Sequence, residues 1–221
     1  MKHFKNFKTC VYCTAQTLAS LDEATLARDY AYLEKYVGID KVYLETYRDG
    51  TWVSIDHMKM IQNFFKEHGV EIAGGITTVT PPLEKDDVKR QRLFQTFCYS
   101  NEAMRTYLKK IVTYTAELFD EIILDDFFFT SCTCDDCLRE RSNLSWAEFR
   151  SKKMIDVAEN LVLKPAKLAN PSVKVTIKYP NWRESYHETG YVPKIQPSMF
   201  DKIYTGTETR NTAQISICHD I

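Results

Sequence analysis

The sequence predicts an α/β protein in which helices cover a mostly parallel sheet. Three observations lead there. Short apolar runs rich in β-branched and aromatic residues recur along the chain, helical patterns lie between them, and the strand runs are apolar on both faces. An open doubly wound sheet and a (β/α)8 barrel both satisfy this pattern. The glycines of "AGGITT" fall inside a strand instead of opening a helix as GxGxxG, which removes the usual support for a nucleotide-binding sheet. The barrel is the preferred reading.

Six strands are expected, at 9 to 14, 41 to 47, 70 to 78, 121 to 129, 173 to 179 and 200 to 207. After the first, Ser20 with Glu23 reads as a capping box opening a helix whose Leu26, Tyr30, Leu33 and Val37 share one face. A second helix, roughly 54 to 68, keeps Met58, Ile61, Phe64 and Phe65 together, with Gly69 at its C-terminal cap. The third runs from about Asn101 to Phe119. The fourth opens at the capping box Ser145 with Glu148, and Pro165 is expected to bend or end it.

A (β/α)8 domain takes roughly 250 residues, and this sequence has 221. The expected fold is therefore a single barrel-type domain over 1–221, truncated after about six strands and incomplete at the C-terminus. With 44% hydrophobic residues the chain can bury a sizeable core. Its 29 basic and 30 acidic residues, without a dense basic block, give no support for nucleic acid or an anionic membrane as a partner. No apolar run approaches the 18 residues of a membrane span, and the first 20 residues lack the apolar core of a signal peptide. The expected location is cytoplasmic by default, or secreted or periplasmic if the N-terminus is incomplete; oligomeric state is not legible.

In parallel α/β folds, ligands bind at the carboxyl ends of the strands. There the sequence places Glu45, Tyr47 and Arg48, then Thr77 and Thr78, then Asp125 and Asp126, then Lys178, Tyr179 and Trp182, and finally Glu208 and Arg210. Charged groups following an apolar strand are expensive unless paired or functional. By strand alternation, only one of Asp125 and Asp126 should point inward. Carboxylates on the fourth and sixth strands suit glycosidic bond cleavage, in which one group stabilises or attacks the anomeric carbon and another protonates the leaving oxygen. Asp125, Asp126 and Glu208 are the catalytic candidates. Glu45, Tyr47, Lys178, Tyr179, Trp182 and Arg210 are the substrate-binding candidates, the aromatic ones by stacking on pyranose rings.

Cys132, Cys134 and Cys137 spell C-x-C-x-x-C, tight enough for three thiolates to face one ion. Zinc in a closed structural site takes four ligands. Cys98 is the candidate fourth, with Asp135, Asp136 and His187 as alternatives, and the expected role is a structural clasp for the loop rather than a cofactor for catalysis. Cys10 and Cys13 lie within a strand, not at a helix start, and read as core thiols.

The stretch "CYSNEAMRTYLKKIVTYTAELFDEIILDDFFFTSCTCDDC" resembles the barrels of bacterial glycoside hydrolase-like proteins, where a C-x-S/T-N loop leads into a helix and then a strand ending in aspartate and aromatics. "VTIKYPNW" and "FDKIYTGTETR" are similar to the fifth and sixth strand ends of that group, and the likeness runs from about 9 to 210. Matched to α-galactosidase-like retaining barrels, the resemblance implies a nucleophile at Asp126, or Asp125 if the register slips, and an acid/base at Glu208 where that clan has aspartate. It implies a carbohydrate substrate. Two other readings stay open on the residues alone: a non-catalytic carbohydrate-binding or inactive truncated barrel, and a metal-dependent hydrolase built on the cysteines.

Overall fold

The computed structural model describes residues 4–80, 92–180 and 186–206. Six parallel strands pair in chain order: β1 (Cys10–Cys13), β2 (Lys41–Arg48), β4 (Glu71–Ile76), β5 (Glu121–Leu124), β6 (Lys174–Tyr179) and β7 (Lys202–Thr205). A two-residue strand, β3 (Thr51–Trp52), folds back antiparallel on β2. A doubly wound sheet reverses direction at a switch point. Here every strand lies beside its parallel predecessor, so the sheet winds one way and curls. Across its concave side, Glu121 of β5 accepts from both Lys41 of β2 and Lys202 of β7, at 2.6 and 2.7 Å. The result is a half-barrel with helices outside.

Local signals set most helix ends. Asn101 caps α4 (Glu102–Leu118), Ser54 caps α3 (Ile55–Glu67), and Ser145 with Glu148 forms both bonds of the expected capping box at the start of α6 (Trp146–Val157). Gly69, at φ +71°, ends α3 as expected.

Two helix expectations are corrected. Asp22, not Ser20, caps α2 (Glu23–Tyr36), because residues Ala15–Ser20 form a separate short helix, α1, with Ser20 in its last turn. Pro165 does not end the fourth helix. A widened π turn at Ala158–Leu163 sends the Lys164 N–H to Glu159 O, five residues back, and the helix continues as α7 (Lys164–Ala169) past the residue that has no N–H.

The outer core has two parts. Side chains of β5 and β6 pack with α4, α6 and α7, and those of β1 and β2 pack with α1, α2 and α3. Consecutive glycines of β4 serve opposite faces. A Cβ on Gly74 would stand 2.7 Å from Phe119 and Thr115 on the helix side, and one on Gly75 would stand 2.7 Å from the Tyr12 hydroxyl inside the curl. Cys10 is not a core thiol. It is exposed and Cys13 is half-buried, because β1 is an end strand of the described sheet. Burial raises the Cys13 thiol to about 11.

Candidate functional site

At the carboxyl ends of β2, β4, β5 and β6 the inward side chains form one charged network. Glu45 is fully buried and accepts from the Tyr12 hydroxyl and the Ala15 N–H, each at 2.7 Å, from Arg48 Nε at 2.8 Å and from Thr77 Oγ1. Arg48 continues from Nη2 to Thr77 Oγ1 at 2.9 Å and to Asp125 Oδ2 at 3.1 Å. Lys178 Nζ approaches Asp125 Oδ1 at 3.1 Å and Asp126 Oδ2 at 3.5 Å. A bonded chain therefore runs from β1 across to β6.

Electrostatics hold Arg48 as a cation and Tyr12 as a neutral hydroxyl. Burial alone would lower the Arg48 pKa, but the hydrogen bond and charge of Glu45 outweigh it and hold the guanidinium above its ordinary value. Burial, then the charges of Glu45 and Asp125, push the Tyr12 hydroxyl far up, so it stays a donor.

The two aspartates do not alternate in and out. Strand β5 stops at Leu124, and Asp125 and Asp126 begin a turn in which Phe128 N–H bonds Asp125 O at 3.1 Å. Free of the pleat, both carboxylates reach the same ammonium. The Asp126 carbonyl is pinned from outside by the Tyr191 hydroxyl at 2.6 Å.

Of the substrate-binding candidates, Lys178 meets the two catalytic candidates Asp125 and Asp126, and three others are corrected. Glu45 is buried beneath Arg48 and offers no face to a ligand; it anchors the arginine. Tyr47 is fully buried against Trp52, Phe97 and Tyr107. The cause is a register shift between Glu45 and Tyr47, a bulge that turns Tyr47 away from the concave face, as Thr46 is when it bonds Thr115 of α4 at 2.6 Å. Tyr179 alternates with Lys178 and so points outward, buried among Tyr186 and Tyr191, and burial raises its hydroxyl to about 12. Trp182, Glu208 and Arg210 lie outside the described residues.

Sequence reasoning placed Arg48 and Thr77 at the strand ends without naming them as candidates, and passed over Tyr12. Tyr12 shares its strand face with the exposed Cys10 in β1 and reads as ordinary strand filling. Its role follows only from the gap that Gly75 leaves opposite it.

Beside this network, Cys98, Cys132, Cys134 and Cys137 bring their sulfurs within 4.8 Å of one another. Cys98 lies 3.7 Å from Cys134 and 3.6 Å from Cys137, and Cys134 lies 3.8 Å from Cys137. Zinc at about 2.3 Å from each of four sulfurs requires sulfurs about 3.8 Å apart at the corners of a tetrahedron. The spacing and the all-thiol donor set fit that ion. Crowding splits three of the titrations: hydrogen bonds from Cys137 and Cys98 pull the Cys132 thiol down, while donating to Cys132 pushes Cys98 and Cys137 up. Asp135 and Asp136, which begin α5 (Asp135–Arg141), are not in the cluster, and His187 is exposed on α8 (Tyr186–Thr189).

A sheet wound in one direction, with polar residues gathered at its carboxyl ends, defines a (β/α)-barrel protein of the kind whose chemistry sits at that face. Over residues 1–218 the chain matches the family described as "Probable glycosyl hydrolase, catalytic domain", and it belongs to that family. A protein of Saccharolobus solfataricus, "Uncharacterized protein SSO3021", is 34% identical over 93% of this chain and 38% of its own length. Among solved structures, β-galactosidases from Marinomonas ef1 and Rahnella sp. R3 superpose with TM-scores of 0.64 and 0.65 at 13% and 12% identity. They cover 91% and 94% of this chain and 41% of each galactosidase chain, a likeness of fold. The chain thus spans well under half the length of these relatives. No helix among the described residues is long and apolar enough to cross a membrane.

Proposed function

We propose that this domain hydrolyses a glycosidic bond of an oligosaccharide by a two-carboxylate mechanism, with Asp126 as the carboxylate at the anomeric carbon. The observation that carries this reading is Lys178 standing between Asp125 and Asp126 at the carboxyl end of the sheet. Asp125 has Arg48 on one oxygen and Lys178 on the other, which suits a fixed anchor more than a group that must react. Asp126 shares the same lysine and is placed beside that anchor. Its negative charge attacks the anomeric carbon or supports water attacking there. As the C–O bond breaks, the leaving oxygen takes a proton from a second, protonated carboxyl group, for which Glu208 is the candidate; water then completes the bond at the anomeric carbon and its proton is taken up by a carboxylate of the pair.

The four cysteines are assigned a structural zinc. Four thiolates complete its coordination and leave no position for an activated water, which speaks against a metal-dependent hydrolase. The ion would fasten the loop after β5 to the residue Cys98 ahead of α4.

A screen of aryl glycosides and oligosaccharides with the wild-type chain and the Asp126→Asn, Asp125→Asn and Glu208→Gln variants tests the mechanism. Hydrolysis lost by about a thousandfold in Asp126→Asn and in Glu208→Gln supports it. Full activity in all three variants sinks it, and glycan binding without turnover by the wild type favours the non-catalytic reading.

A further inference from the structure

Phe94 and Gln95, in the loop after β4, both have positive φ, +51° and +55°. The left-handed region is costly for bulky side chains and persists only where the surroundings enforce it. Here they do. Leu93 N–H donates to Ser131 Oγ at 2.7 Å, Gln95 O accepts from the Thr80 N–H at 3.0 Å and the Thr80 hydroxyl at 3.1 Å, and Val79 bridges Thr96. The ring held this way is nevertheless 51% exposed. Core packing does not account for it.

What the ring does meet is the candidate site. Phe94 stands edge-on to Phe127, centroids 5.5 Å apart at 90°. Phe127 directly follows Asp126, and the Arg48 guanidinium lies 5.6 Å from its ring centroid. The same guanidinium holds Asp125. Both rings line a cavity of about 410 Å³ whose polar wall is Arg48, Asp49, Arg92 and Gln95. An exposed aromatic face beside charged hydrogen-bonding groups matches a pyranose, which has an apolar C–H face and a rim of hydroxyls.

We propose that Phe94, supported by Phe127, is a sugar-stacking subsite for a second pyranose unit, adjacent to the unit bound at Asp125 and Asp126. The inference rests on the carbohydrate reading above and narrows it: the substrate class is a chain of at least two pyranose rings, and Phe94 is the residue that prefers it over a monoglycoside.

The test titrates the full chain with cellotetraose, maltotetraose, mannotetraose and β-1,4-galactotetraose, and with the methyl monoglycosides of the same sugars. The wild type should bind one tetraose more tightly than its monoglycoside. Phe94→Ala and Phe94→Gly should lose that preference by about five- to tenfold, with monoglycoside affinity unchanged, and Phe94→Trp should keep it. Phe94→Gly also relieves the positive φ, so its melting temperature should not fall. The proposal is overturned if the wild type shows no tetraose preference, if Phe94→Gly retains it, or if Phe94→Gly melts lower and loses monoglycoside binding as well. Tetraose binding that depends on Phe94 in a chain that hydrolyses no glycoside would instead refute the catalytic reading and leave the subsite standing.

Discussion

Arg48 Nη2 stands 3.1 Å from Asp125 Oδ2 while its Nε donates to the buried Glu45 at 2.8 Å. One planar guanidinium thus ties a carboxylate that no solvent reaches to one at the sheet's carboxyl end. Lysine has a single ammonium and cannot form that fork. Arg48→Lys is expected to fold and to lose hydrolysis by about a hundredfold, measured as kcat/KM on the best glycoside. Arg48→Ala should also be destabilised by about 3–5 kcal/mol in urea unfolding, since Glu45 is left buried without its cation. Wild-type turnover in Arg48→Lys would show that the link to Asp125 is not used.

Gly75 leaves the space through which the Tyr12 hydroxyl reaches Glu45. A Cβ there would lie 2.7 Å from that hydroxyl and 3.0 Å from the ring. Gly75→Ala should cost about 1–3 kcal/mol and lower the melting temperature accordingly. An unchanged melting temperature would mean that Tyr12 moves aside freely.

Glu121 sets a pH dependence at the opposite end of the strands. Burial would raise its pKa, but hydrogen bonds and charges from Lys202 and Lys41 outweigh this and hold it below the ordinary 4.5. A depressed folded-state pKa gives stability that is present above the unfolded value and lost as the pH falls through the folded one. Glu121→Gln should therefore be less stable than wild type at neutral pH, with the gap closing as the pH falls below 4.5. Parallel stability curves over that range would contradict the pairing.

The cysteine cluster predicts one zinc per chain by elemental analysis of protein purified without chelator. Removing the ion, or substituting Cys132→Ser, should lower the melting temperature by about 10 °C and loosen the loop after β5 before any specific loss of chemistry. Activity lost on chelation with the melting temperature intact would assign the metal to catalysis instead.

Much of the fold was legible because it is written locally. Apolar strand runs, Asn101, Ser54 and the Ser145 capping box need only neighbours within a turn, and the helix boundaries followed from them. Asp22 displaced Ser20 because an additional short helix intervened, and Pro165 was passed by a π turn whose spacing leaves no mark in the sequence. At the site, Asp125, Asp126 and Lys178 were visible as charges at the ends of apolar strands. Tyr47 and Tyr179 were misread because the direction of a strand-end side chain depends on bulges and on the last residue of the pleat.

The sequence by itself determined the α/β alternation, the end of the sheet that carries the charges, and the three closely spaced cysteines, Cys132, Cys134 and Cys137, since hydrophobic period and residue chemistry act over short distances. Only the tertiary structure decided that the sheet winds in one direction, that Glu45 serves Arg48, that Lys178 reaches both aspartates, and that Cys98 closes the thiol tetrahedron. Lys178 and Asp125 are 53 positions apart and Cys98 and Cys134 36. Glu45 and Arg48, though three apart, share a face only because of the bulge between Glu45 and Tyr47; the fold brings them together.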